Sequence, residues 1–298
     1  MQEPSILFAY DFSERSDRAA KRAFQMAKEH NLHVHAAHVV DEAFPERKWL
    51  GDDQGGESRE SIVDRLKTAI TERLESTLKP VAEEFGIPLK AHGALGYVAE
   101  QLHAIGEKNN SKMLVLGAHG RHAVRDFMLG ATAEQLLWFM APPTLIVRND
   151  QTDPYQKLMI AADFSEEAET AMKASASWFP SAQVRVLHVI DSRAEERLQD
   201  AGIGSEKLQA EHAEQEEAAR ARLEEMIANS GLDRDKTEIY IIHGHPVEEV
   251  STQAENYSAD LVVMGGHGRS RLTRWLPGRV ASRLVHQLPC DVMLARSD

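Results

Sequence analysis

Leu114–Gly130, LVLGAHGRHAVRDFMLG, returns later in the chain as Val262–Gly278, VVMGGHGRSRLTRWLPG. Gly117, Gly120 and Gly130 are answered by Gly265, Gly268 and Gly278 at a constant offset of 148 positions, and each set follows directly on an apolar run. One such pattern is weak, whereas two in the same frame mark an internal duplication. Glycine serves where φ must be positive or where another group approaches the backbone, so the duplicated loop is the first place to look for a ligand.

The segments upstream repeat as well. Ile6–Tyr10 and Leu158–Ala162 are short apolar runs, each closed by Asp-Phe-Ser at Asp11–Ser13 and Asp163–Ser165. The serines are placed to cap helices with apolar faces formed by Ala20, Phe24 and Ala27 in one half and Ala168, Ala171 and Met172 in the other. Second strands rich in valine, His33–Asp41 and Val184–Asp191, both end in His-Val-(Val/Ile)-Asp. A helix with Ile62, Leu66, Ile70, Leu74 and Leu78 at four-residue spacing follows in the first half, and its counterpart around Glu206–Ala228 is more acidic. We read that charge run as a solvated face. Gly96–Glu100 and Gly244–Glu248 then start third helices, Met113–Leu116 and Leu261–Met264 are fourth strands, and Thr144–Arg148 and Asp291–Arg296 are fifth strands.

Strands and helices alternating at these spacings predict two α/β domains, each a five-stranded parallel sheet with helices on both faces. The polar run Asn149–Pro154 is the expected boundary, with domains over 1–149 and 154–298.

Composition narrows the function classes. A content of 42% hydrophobic and 27% charged residues describes a folded chain with a core. With 47 acidic against 34 basic side chains and a net charge of −13, a sequence-independent nucleic-acid or anionic-membrane partner is not expected. A small anion remains open, because a local cradle of backbone N–H groups binds phosphate whatever the global charge. Cys290 stands alone, so no intrachain disulfide or cysteine zinc cluster is expected, and it reads as a small packed side chain. The N-terminal apolar run stops at Asp11, too short for a signal peptide or a membrane span, which predicts a cytoplasmic protein.

In open parallel sheets, ligands bind beyond the carboxyl ends of the strands, where the strand order reverses. Asp11 and Asp163, Val39 and Val189, and both glycine loops fall there. An aspartate at that position can accept a hydrogen bond from an exocyclic amine of a base, or it can help to cap the following helix; the sequence leaves both open. His119 and His267, flanked by glycines, read as loop-packing residues rather than acid–base catalysts. His38 and His188 read as satisfied strand histidines rather than metal ligands.

Asp-Phe-Ser after the first strand, His-Val-(Val/Ile)-Asp after the second, Gly-x-Pro-x-Glu before the third helix of the second half and G-x2-G-x9-G after the fourth strand together resemble the universal stress protein family. The resemblance covers nearly all of both halves, as in a tandem-type member. It implies flavodoxin-like or Rossmann-like domains related to the adenine nucleotide α-hydrolase group. It also implies an adenine nucleotide, ATP or AMP with or without Mg2+, as ligand. The residues it assigns to the nucleotide are Asp11, Val39, Leu116, Gly117, His119, Gly120 and Gly130 in the first half. In the second they are Asp163, Val189, Met264, Gly265, His267, Gly268 and Gly278.

Two positions depart from that pattern, which continues with Ser or Thr after the last glycine: Ala131 and Arg279 stand there. Ala131 keeps the N–H without the hydroxyl, with Thr132 next to it. Losing one such hydrogen bond costs about 1 kcal/mol, roughly fivefold in affinity. Arg279 can pair with a phosphate as a guanidinium fork or fill the phosphate position itself. Pro277 stiffens the second loop, so the first half is the better candidate. The resemblance further implies that the last strands of the two domains pair as an intrachain pseudo-dimer, with a homodimer as a further assembly.

The expected function is a nucleotide-binding stress-response protein acting through ligand-linked conformation or assembly. A nucleotide-free scaffold and a slow ATP hydrolase are the alternatives. Neither a GxxxxGK(S/T) loop nor a Ser-Gly-Gly-x-Asp-Ser motif is present, and no nucleophile–base pair is evident.

Overall fold

The computed structural model describes residues 3–41, 59–118, 142–192, 206–266 and 278–296. The chain divides into two compact units, Met1–Pro154 and Tyr155–Asp298. In the first, Ser5–Ala9 forms β1, Glu14–His30 α1, His33–Val40 β2, Arg59–Phe85 α2, Leu89–Leu95 β3, Val98–Lys108 α3, Ser111–Gly117 β4 and Thr144–Val147 β5. In the second, Lys157–Ala161 forms β6, Glu166–Trp178 α4, Gln183–Asp191 β7, Glu206–Ser230 α5, Thr237–Gly244 β8, Pro246–Tyr257 α6, Leu261–Gly265 β9, Arg279–Gln287 α7 and Asp291–Ala295 β10.

The strand order is β3-β2-β1-β4-β5 in the first unit and β8-β7-β6-β9-β10 in the second, with the neighbouring strands parallel within each. This is the Rossmann-type order, not the flavodoxin-type 2-1-3-4-5, which separates the two possibilities that the sequence left together. The order reverses between β1 and β4, and between β6 and β9. Right-handed crossovers place α1 and α2 on one face of the first sheet and α3 on the other, and α1 packs on α2. A sheet covered on both faces needs continuous apolar strands: Ile6, Leu7, Phe8, Met113, Leu114 and Val115 are fully buried, as are Leu158, Met159, Ile160, Val262 and Val263. Cys290 is buried too.

The helices begin where the sequence places their caps. Ser13 caps α1 in a reciprocal box with Ser16, and the Ser165 hydroxyl accepts from the Ala168 amide at 3.2 Å to cap α4. In α2 the apolar stripe is only half used. Leu74 and Leu78 are buried, whereas Leu66 is 47% exposed. The helix lies against β3 at Gly93, whose N–H donates to Thr71 Oγ1 at 2.9 Å.

The polar segment ending the first unit is fastened to α1. Arg22, buried in the helix, donates to Gln25 Oε1 at 3.0 Å, to the Asp153 carbonyl at 2.7 Å and to the Gln151 carbonyl. Arg18 pairs with Asp150. In the second unit the Tyr155 hydroxyl donates to the fully buried Asp291 at 2.6 Å.

Candidate functional site

At the carboxyl end of each central strand the chain makes the same tight turn. Phe12 and Phe164 take φ of 60° and 63°, left-handed values unusual for an aromatic residue. Local hydrogen bonds hold the turns. Asp11 Oδ1 accepts from the Ser13 amide at 3.1 Å and from its hydroxyl, and Asp163 Oδ1 accepts from the Ser165 amide at 3.1 Å and from its hydroxyl. Each aspartate therefore orders the serine that caps the next helix, so the capping role left open by the sequence is real in both copies.

The register brings the second strand alongside. Ala9 pairs with Ala37 and Ala161 with Leu187; Asp11, Val39, Asp163 and Val189 each lie two residues beyond those pairs. His38 Nδ1 is 2.7 Å from the Tyr10 carbonyl and His188 Nδ1 is 2.7 Å from the Ala162 carbonyl. A carbonyl only accepts, so Nδ1 carries the proton in both rings. These are the satisfied strand histidines that the sequence predicts. Tyr10 donates its hydroxyl to Asp17; burial, followed by that hydrogen bond, pushes its pKa well above the usual tyrosine value.

A column of side chains stands on each turn. In the first domain the Phe12 ring meets the His38 ring in an edge contact, 4.9 Å away by centroids, and the Arg73 guanidinium of α2, whose Cζ is 4.2 Å from the ring centroid. In the second, Phe164 lies 4.1 Å from His188 and 4.7 Å from the Arg222 Cζ of α5, and Arg222 also donates to the Phe164 carbonyl at 3.1 Å. Sequence reasoning missed Phe12, Phe164, Arg73 and Arg222. The phenylalanines recur visibly in Asp-Phe-Ser, but the arginines sit in helices where charge at regular spacing looks like ordinary solvated surface.

The glycine loops leave the fourth strands beside these turns. Gly117 ends β4, and Ala118 donates its N–H to the Val147 carbonyl at 3.0 Å; Gly266 donates to the Ala295 carbonyl at 2.9 Å. What comes close to Gly117 and Gly265 is the domain's own first helix. A Cβ on Gly117 would lie 3.1 Å from the Arg15 carbonyl oxygen, and one on Gly265 would lie 2.6 Å from Glu167 Cβ. The preceding Leu116 and Met264 have buried side chains, so only their backbones are available to a ligand.

Gly278 caps α7 and its N–H donates to the Gly266 carbonyl at 3.3 Å, which closes the base of the second loop. Arg279 is the first residue of that helix. Arg296 packs at Gly266, where burial pushes its guanidinium below the ordinary arginine value against the opposing pull of Glu167. His119, Gly120, Gly130, Ala131, Thr132, His267 and Gly268 lie outside the described residues. Among the described residues no group of three or more His, Cys, Asp or Glu side chains is placed to hold a metal ion. No described helix is long and apolar enough to cross a membrane.

A sequence profile described as the universal stress protein family matches residues 4–148 and again residues 154–296. The chain belongs to the universal stress protein family. As a universal stress protein with two such domains, it is similar over nearly its whole length to a universal stress protein of Mycolicibacterium smegmatis. The two are 24% identical over 299 residues, 99% of this chain and 97% of the relative. A universal stress protein of Methanocaldococcus jannaschii is 30% identical over 148 residues, which is 50% of this chain and 84% of that one. Among solved structures, a universal stress protein from Archaeoglobus fulgidus superposes with a TM-score of 0.68, covering 98% of each chain at 16% identity, an agreement of fold.

Proposed function

We propose that the crevice at the strand-order reversal binds an adenine nucleotide, ATP or AMP, and that this universal stress protein acts by ligand-linked change of conformation or assembly rather than by turnover. The observation that carries this reading is the convergence, in both domains, of an ordered aspartate, a half-buried valine and the start of a glycine loop at the place where open parallel sheets take ligands. The groups suit the ligand. Asp11 and Asp163 are held by their own turns rather than left to wander, which reduces the ordering cost of receiving a base. Backbone amides of a glycine-rich loop can offer donors to phosphate.

The two crevices are unequal in this reading. In the second, the Gly278 amide already serves Gly266 and Arg279 occupies the residue after it, so the first domain is the stronger nucleotide site. For the second domain, the engaged amide favours weaker nucleotide binding than in the first. A ligand that binds one state better shifts the population toward it and raises its stability in proportion to RT ln(1 + [L]/Kd).

The test is to denature the purified full chain, identify released nucleotide by mass spectrometry, and titrate ATP into the wild type, Asp11→Ala and Asp163→Ala. Bound nucleotide and a roughly tenfold loss in Asp11→Ala are expected, the size of one charge-assisted hydrogen bond. Absence of nucleotide together with identical titrations would sink the reading. Multiple turnover of ATP would replace it with an enzyme.

A further inference from the structure

The arginine columns extend the nucleotide reading, on which this inference rests. We propose that Arg73 and Arg222 recognise the anionic part of the crevice ligand, its phosphate oxygens, and so select a nucleotide over the corresponding neutral nucleoside.

Three observations converge. First, the guanidinium is presented in a particular way. Cζ lies over the phenyl ring of Phe12 or Phe164, at 4.2 and 4.7 Å, and a cation–π contact of this kind leaves N–H donors of the guanidinium for hydrogen bonding. Arg222 spends one of its five donors on the Phe164 carbonyl; the rest still form a fork.

Second, neither charge is held in an ion pair. Neither Arg73 nor Arg222 has a carboxylate within ion-pair distance among the described residues. In a chain with 47 acidic against 34 basic side chains, an arginine over the turn phenylalanine without an ion-pair partner recurs in both domains. A leucine or methionine would cover the phenyl ring equally well, so packing alone does not require a cation there.

Third, the surroundings would otherwise repel an anion. The first turn of α1 carries Glu14 and Asp17, and that of α4 carries Glu166, Glu167 and Glu169, in addition to Asp11 and Asp163. A phosphate entering beside these carboxylates needs a positive group at the same edge, and the arginines stand on the residue that directly follows each aspartate. Arg73 is near enough to Tyr10 to oppose the upward shift of its hydroxyl electrostatically. This places its charge at the turn rather than out along the helix.

The experiment compares ATP with adenosine on the full chain, by displacement of a fluorescent ATP analogue, in the wild type, Arg73→Gln, Arg222→Gln and the double variant. Both arginines are exposed, and thermal melts on the same samples report folding. The expected result is a loss of about tenfold or more in ATP affinity, with adenosine unchanged within about twofold and a weaker salt dependence of ATP binding. ATP affinity that is unchanged in the double variant overturns the proposal. So does a parallel loss of ATP and adenosine, which would make the arginines mere supports of the turn. If the wild type binds no ATP, the nucleotide reading fails before any substitution is made, and this inference falls with it.

Discussion

A methyl group on Gly93 would meet the Lys67 carbonyl oxygen at 2.4 Å and Ile70 Cβ at 2.9 Å, so helix and strand are in contact through a residue with no side chain. We expect Gly93→Ala to destabilise the first domain by about 1–3 kcal/mol through overpacking, visible as a lowered thermal midpoint. Gly86→Ala is the control. At φ of +68° and with nothing within 4 Å, it should show only the left-handed backbone penalty of about 1–2 kcal/mol. A larger loss at Gly86 than at Gly93 would contradict this account. The same geometry sharpens the role of Gly117 and Gly265. The sequence marks both as places of close approach, but it cannot say what approaches. In the fold it is the first turn of α1 or α4, 102 residues from Gly117 and 98 from Gly265 in the chain and thus invisible to local pattern.

At the scale of elements, β2 and β3 carry a histidine pair that their counterparts lack. His35 Nδ1 and His92 Nε2 are 2.9 Å apart with the rings stacked, while the second domain pairs Arg185 with Glu238 across β7 and β8. Burial, aided by Lys90 and His33 at His35 and by His35, Lys90 and Lys108 at His92, lowers both pKa values from the usual 6.5 to about 4. The folded state therefore holds fewer protons than the unfolded chain between those values. Stability from the pair is complete above pH 6.5 and drains away as the pH falls toward 4. Urea unfolding of His92→Tyr, the residue type found at Tyr240 in β8, should show a shallower loss over that window than the wild type. An unchanged slope would locate the acid sensitivity elsewhere.

The elements themselves were largely legible, because apolar runs and four-residue spacing report burial directly. Burial of the whole α2 stripe was not. A helix of 27 residues spans about 40 Å, whereas β3, with seven residues, spans about 23 Å, so the strand cannot cover Leu66 as it covers Leu74 and Leu78. Strand order was likewise beyond the sequence, since alternating strands and helices fit both the Rossmann and the flavodoxin arrangement. At the site, the aspartates and valines could be named from their recurrence. The arginine columns could not, because a stack is made by tertiary packing between a turn and a helix about sixty residues later.

At the scale of the whole molecule, composition marks Asn149–Pro154 as a linker, yet the end of the first unit is bound to α1 through a buried guanidinium. Arg22→Ala should cost the first unit about 2 kcal/mol or more, since it strips a charged donor from two backbone carbonyls and Gln25. Differential melting of the two units would show the first falling and the second unmoved. Arg22→Lys should recover only part of the loss, because an ammonium cannot reproduce the fork. The attachment also decides where the halves can be cut apart for separate expression. A first half ended at Asn149 would leave Arg22 buried without Gln151 and Asp153, whereas a cut after Pro154 keeps those carbonyls with α1 and leaves Tyr155 with Asp291.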